Sequence, residues 1–402
     1  MGDKLPQPSK TRLPVVVIGE AAVVGVVQFI PMIALDVPQY ALYAAIYLWY
    51  GALLAYLFAS LSDVWARIFR TSRSEYSRAS TYYSVLTSSV IFSILITTAG
   101  MLVLQQGWLL SALSGLAVGL ALYRAGSRYY LVAVGPALRS GMADLCAAVL
   151  SVPLILVWIK SGHYGTEAAI ATWLFLTLIY MLVTWSLPRF SLKLTGSWFR
   201  HNRRTITAMA TEATLMNISS VGTPYLVGAA VGAVGMAALR SATSVAYPVR
   251  LILSPLRSRI VVGASGTLMR LCGQASILGL VLGSGAAVVL ALFNGLGFLP
   301  HSALALLSNY AIPVGVYVAG TALSTTLQFW ARGHDAGRIL LVKRLVHTAV
   351  ILGGTLIGAV FFGVEGAMWG TAVSTLLTSV LWLMGTRNNR PAAAAAQREE
   401  GQ

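Results

Sequence analysis

The chain alternates long apolar runs with short basic connections over 402 residues. Each run is about 20 residues, the length that crosses the hydrocarbon core as a helix; none has the ten-residue alternation of a membrane barrel strand. The pattern predicts twelve helices: Leu13–Leu35, Pro38–Leu61, Tyr83–Leu104, Trp108–Tyr123, Gly141–Ile159, Ala168–Leu187, Thr207–Val227, Ala237–Leu256, Ala275–Leu296, Leu304–Leu327, Leu345–Phe362 and Ala367–Met384. The fold class is therefore an all-α polytopic membrane protein.

Charge placement supports the count. With the N-terminus in the cytoplasm, 25 of the 28 lysines and arginines fall in segments that twelve crossings leave on the cytoplasmic side. Lys160 alone falls in an external loop; Arg240 and Arg250 lie within a helix. This is the positive-inside pattern, and it places both termini in the cytoplasm. It also accounts for the net charge of +16 as a topology signal, so nucleic acid is not an expected partner. Composition agrees: 57% of residues are hydrophobic and only 10% charged, too few to cover a water-soluble surface of this size.

Five parts follow. Residues 1–12 are a cytoplasmic tail, 13–187 an N-terminal lobe of six helices, 188–206 a basic cytoplasmic linker, 207–385 a C-terminal lobe of six helices, and 386–402 a disordered cytoplasmic tail. The halves carry a matching mark. Arg12 precedes Glu20 by eight residues at the start of the first lobe, and Arg204 precedes Glu212 by eight at the start of the second. Two six-helix halves related in this way are a common plan of secondary transporters, with substrate sites between the repeats.

No loop is long enough for a soluble catalytic domain. No phosphate-binding Gly-rich loop, HExxH pair, nucleophile elbow or clustered His/Cys set occurs, so neither an enzyme, a metal nor a cofactor is expected. Cys146 and Cys272 read as free thiols. The informative residues are charges inside apolar sequence, since an ionised side chain in hydrocarbon costs roughly 2.5–3.5 kcal/mol on insertion scales. Glu20 and Glu212 either pair with arginines near the interface or line a cavity where they couple transport to an ion. Arg240 and Arg250 either snorkel to opposite interfaces or bind phosphate, to which guanidinium gives bidentate, permanent charge. Arg124 and Arg128, at i, i+4 spacing, either mark the cytoplasmic face or gather an anionic headgroup. Asp144 is expected to pair with Arg139 or to serve ion coupling.

Three segments carry a family resemblance. DVPQYALYAAIYLWYGALLAYLFASLSDVWARIF (36–69) resembles the helix 1–2 region of polysaccharide (Wzx-type) flippases. YRAGSRYYLVAVGPALRSGMADLCAAVL (123–150) resembles their helix 4–5 connection, and GAAVGAVGMAALRSATSVAYPVRLILSPLRSR (228–259) their helix 7–8 region. These flippases belong to the multidrug/oligosaccharidyl-lipid/polysaccharide (MOP) superfamily, with the lipid II flippases and the multidrug (MATE) antiporters. The resemblance implies a V-shaped, two-lobe, alternating-access bundle in the cytoplasmic membrane. It implies an undecaprenyl-pyrophosphate-linked oligosaccharide as cargo, with Arg240, Arg250, Arg124 and Arg128 as its pyrophosphate contacts. Membrane lipids, a polysaccharide polymerase and glycosyltransferases are the implied partners. The alternative within the superfamily is a multidrug or metabolite cation antiporter.

The topology is testable by cysteine labelling in a background lacking Cys146 and Cys272. Ser161→Cys should react with an impermeant maleimide on intact cells, and Ser74→Cys only after permeabilisation.

Overall fold

The computed structural model describes residues 13–71, 78–134, 137–186, 188–253, 260, 268–296, 301–334 and 337–386. Among them there is no strand, only an isolated bridge between Asp36 and Ser302. The helices are α1 (Leu13–Val24), α2 (Ile30–Ala34), α3 (Val37–Leu57), α4 (Asp63–Thr71), α5 (Ala79–Val103), α6 (Trp108–Val134), α7 (Ala137–Lys160), α8 (Thr166–Thr184), α9 (Leu192–Asn217), α10 (Thr223–Val231), α11 (Ala233–Val245), α12 (Tyr247–Leu253), α13 (Leu268–Leu296), α14 (Ala303–Ser308), α15 (Ala311–His334) and α16 (Gly337–Thr386). π-Helical turns at Gly25–Phe29 and Phe58–Ser62 continue α1 into α2 and α3 into α4, and a third, at Ile218–Gly222, precedes α10. The described residues are helical almost throughout, as the sequence predicts.

Among the described residues, eight helices are long and apolar enough to cross a membrane by length and composition. The last, Ile339–Leu383, has 45 residues. At about 1.5 Å per residue that is more than twice the hydrocarbon thickness, enough for two crossings. The chain folds back there at Gly363, whose φ of 63° suits a residue without Cβ. The two arms then pack through glycine. A Cβ on Gly358 would strike the Gly366 carbonyl, one on Gly370 would strike the Gly354 carbonyl, and Thr355 and Thr371 hydroxyls meet at 3.0 Å. Small residues of this kind bring helices together in lipid, where no hydrophobic force does so.

Two differences from the sequence reading stand out. The stretch 188–206, expected as a linker, lies largely in α9. Its basic residues Lys193, Arg200, Arg203 and Arg204 are exposed on one side. On the other, Trp198 is fully buried and donates to the Ser60 carbonyl at 3.0 Å, and Thr195 meets Ser88 at 3.0 Å. The helix forms because one face has something to bury, despite its polar average. The fourth predicted helix also runs longer, to Val134, so Arg124 and Arg128 lie inside α6 and not in a connection.

By internal contact the chain divides into two compact units, residues 1–35 with 42–217 and residues 36–41 with 218–402. In the first, α1 packs on α7, α5 on α6, and α8 on both α6 and α7. In the second, α13 packs on α15 and α15 on α16. There Gly279 and Gly283 lie against Ala319 and Gly315.

The glycine contact at the α16 fold-back gives a direct test. Gly358→Leu should cost about 1–3 kcal/mol by overpacking and lower the melting temperature in detergent by several degrees. Gly353→Leu, which meets open space, should leave it unchanged; equal melting of both variants would refute the close approach.

Candidate functional site

Three helices of the first unit bring four charges together. α6 carries Arg124 and Arg128 one turn apart on one face, α7 carries Asp144 and α1 carries Glu20. Asp144, with no exposed side-chain surface, accepts from both arginines. Arg124 donates from Nε at 2.9 Å and from Nη2 at 2.6 Å, both to Oδ1. Arg128 donates from Nε to Oδ2 at 3.0 Å. The outer nitrogen of Arg128, Nη2, then donates to Glu20 Oε2 at 2.8 Å and to the Val16 carbonyl at 3.3 Å. The four charges sum to zero, which allows them to be buried at all.

Exposure rises outward through the cluster. The side chains are 0% exposed for Asp144, 11% for Arg124, 19% for Arg128 and 35% for Glu20. The inner arginine also lies over the Tyr180 ring, 5.4 Å from its centroid, and the Tyr180 hydroxyl meets Ser140 Oγ at 2.9 Å. Close approach of α1 and α7 permits the arrangement. A Cβ on Gly19 would collide with the Gly141 carbonyl and meet Asp144 Cβ at 3.0 Å; one on Gly141 would lie 2.9 Å from Val15. Each glycine sits beside or one turn from a charge it admits, as Gly19-Glu20 and Gly141-x-x-Asp144.

Asp144 does not pair with Arg139 as expected. Five residues on a helix place two side chains about 140° apart, on different faces. Arg139 is exposed and donates instead to the Val183 carbonyl at 3.3 Å. Glu212 lies half-buried on α9. Arg240, half-buried on α11, donates to Thr243 Oγ1 at 3.0 Å, and Arg250 is exposed in the last turn of α12. The two are separated by the break before Pro248, at Ala246. Both belong to the second unit; within the first unit the structure unites Arg124, Arg128, Asp144 and Glu20. Cys146 and Cys272 are free thiols.

An aromatic group lies in the same unit. Trp173 of α8 meets Tyr47 at 5.4 Å and Tyr50 at 5.1 Å between ring centroids. Gln28, buried in the first π-helical turn, donates to the Tyr47 hydroxyl at 2.7 Å, and the Tyr43 hydroxyl donates to the Val27 carbonyl. The hydroxyl of Tyr50 is within electrostatic reach of Glu20, Arg124 and Arg128, so this wall adjoins the charges.

No family model matches the chain, and no curated protein matches it. Solved structures do. A multidrug resistance MATE family transporter of the MOP superfamily, in its inward-facing conformation, superposes with a TM-score of 0.66 at 14% identity, over 98% of this chain and 99% of that one. The fold is that of MATE transporters. A Vibrio cholerae MATE transporter gives 0.60 at 14% identity, over 94% of this chain and 95% of its own. An outward-facing MATE structure gives 0.60 at 15% identity, covering 96% of each chain. This likeness, over essentially the whole chain, makes the MATE-type bundle the frame that holds the charge cluster.

Asp144→Ala should be severe, because it strands two arginines: about 3–5 kcal/mol for a broken buried pair, read as loss of monodisperse protein or a large fall in melting temperature. Arg139→Ala should stay within roughly 0.5 kcal/mol. The reverse ranking would mean that Asp144 does not hold the cluster.

Proposed function

We propose that the chain is a transporter of the cytoplasmic membrane that moves polyprenyl-pyrophosphate-linked oligosaccharide units between leaflets by alternating access. The observation that carries this reading is the buried arginine pair. Asp144 holds both guanidinium groups in fixed orientation inside an apolar bundle, the preorganised geometry that phosphate oxygens require. A long lipid tail stays in the membrane during such a transfer, so only the headgroup needs a polar path. Arg124 and Arg128 are assigned to the pyrophosphate; Arg240 and Arg250, in the second unit, are separate cationic candidates. Glu20 and Glu212 are the coupling candidates. Glycosyltransferases that build the cargo and a polymerase that consumes it are the partners this reading requires.

The second reading is a multidrug cation antiporter, and one finding favours it: two of the solved structures of this fold named above are of a multidrug resistance transporter. The wall of Tyr47, Tyr50 and Trp173 would suit an organic cation. Against it, a cation site needs carboxylate charge to spare, whereas Asp144 and Glu20 are both bound by arginine.

Deletion of the gene separates the two. The flippase reading expects lipid-linked repeat units to accumulate on the inner leaflet, surface polymer to fall at least ten-fold, and sensitivity to cationic drugs to remain unchanged. Normal polymer with drug hypersensitivity would replace this reading with the antiporter.

A further inference from the structure

A second concentration of positive charge lies at the start of α9. Arg189, Lys193, Arg200, Arg203 and Arg204 are all exposed, and among the described residues none has a carboxylate within ion-pair distance. At about 100° per residue, Lys193, Arg200 and Arg204 fall on one stripe about 40° wide. Thr195, Trp198 and Asn202 lie on the opposite side, and that side fixes the rotation of the helix. Trp198 is fully buried with its indole nitrogen on the Ser60 carbonyl, and Thr195 meets Ser88 of α5. The basic stripe therefore points away from the bundle that holds α9. One flank between the two faces is apolar. Leu192 and Phe199, both exposed, sit about 110° round from the stripe, with Arg203 at the flank's edge. Phe190, just before the helix, is exposed as well.

We propose that the first part of α9 is a docking surface for the acidic phospholipids of the cytoplasmic leaflet, with Lys193, Arg200 and Arg204 on lipid phosphates and Leu192 and Phe199 at the acyl boundary. A helix with cations on one face and Phe and Leu beside them settles in that boundary, its apolar side about 5–10 Å deep. Clustered Lys and Arg beside a membrane are drawn to its anionic headgroups, and guanidinium takes phosphate oxygens in pairs. The side of the membrane agrees, since this stretch is one of the cytoplasmic segments of the positive-inside pattern. The chain supplies no counter-charge locally: no Asp or Glu occurs between Glu167 and Glu212. An acidic peptide would satisfy the cations and leave the apolar flank in water, whereas an acidic lipid satisfies both. The surface serves either cargo.

The test uses the full-length protein in lipid nanodiscs, in the background lacking Cys146 and Cys272. Gly196 is exposed, has open space where a Cβ would stand, and lies between the stripe and the apolar flank. A nitroxide on Gly196→Cys reports immersion through its collisions with a neutral nickel chelate in water. Replacing about a third of the phosphatidylcholine by phosphatidylglycerol should lower those collisions roughly two-fold or more, as the flank settles at the boundary. Lys193→Gln/Arg200→Gln/Arg204→Gln should keep the phosphatidylcholine value in both lipids. Salt at about 0.5 M, which screens surface charge, should reverse the fall in the protein that keeps its cations, and this needs no further variant. Glycerol phosphate dissolved around phosphatidylcholine discs should have no effect. Equal collisions in the two lipids overturn the proposal: high in both means that the face stays in water, and low in both means that another segment covers it. A fall that persists in the triple variant or in salt also overturns it. The same fall with dissolved glycerol phosphate overturns the lipid as occupant.

Discussion

Asp144 is a single carboxylate that two arginines depend on. Arg124 and Arg128 are largely withdrawn from solvent, and each is held because one oxygen of Asp144 faces it. The rest of the first unit is arranged so that this can happen. Gly19 and Gly141 remove the side chains that would hold α1 and α7 apart. α6 continues past its expected end so that both arginines lie on helical backbone. Tyr180 covers the inner guanidinium with its ring. The result is a sealed inner pair and a partly exposed outer one.

The same device recurs wherever helices meet. Membrane helices gain little from burying apolar surface against one another, since lipid is equally apolar, so close packing and hydrogen bonding must do the work. Gly354, Gly358, Gly366 and Gly370 bring the arms of α16 together, and Gly279, Gly283 and Gly315 do so between α13 and α15. Serine and threonine hydroxyls commonly bond back to the carbonyl four residues earlier, as Thr172, Thr177 and Ser151 do, which satisfies them without a partner helix.

Some of the candidate site was legible. Arg124, Arg128, Asp144 and Glu20 could each be singled out, because charge in an apolar run is rare. Their grouping could not. Spacing suggested Asp144 with Arg139, its neighbour in sequence, yet its partners lie 20 and 16 residues away on another helix. Glu20 was matched with Glu212 by position in the two halves, whereas its observed partner is Arg128, 108 residues distant. The small residues that admit the charges were also visible, but a glycine's significance depends on what faces it.

The sequence by itself determined that this is a bundle of about twelve membrane helices, because length, hydropathy and the side on which arginine and lysine fall are local quantities set by the bilayer. It also marked 188–206 as basic. Only the tertiary structure decided that most of this stretch is helix, since Trp198 needed the Ser60 carbonyl and its pocket to make one face worth burying. Only the tertiary structure decided which charges meet. An ion pair in a membrane is set by which helix faces are close enough to exclude lipid, and that depends on contacts among residues far apart in the chain.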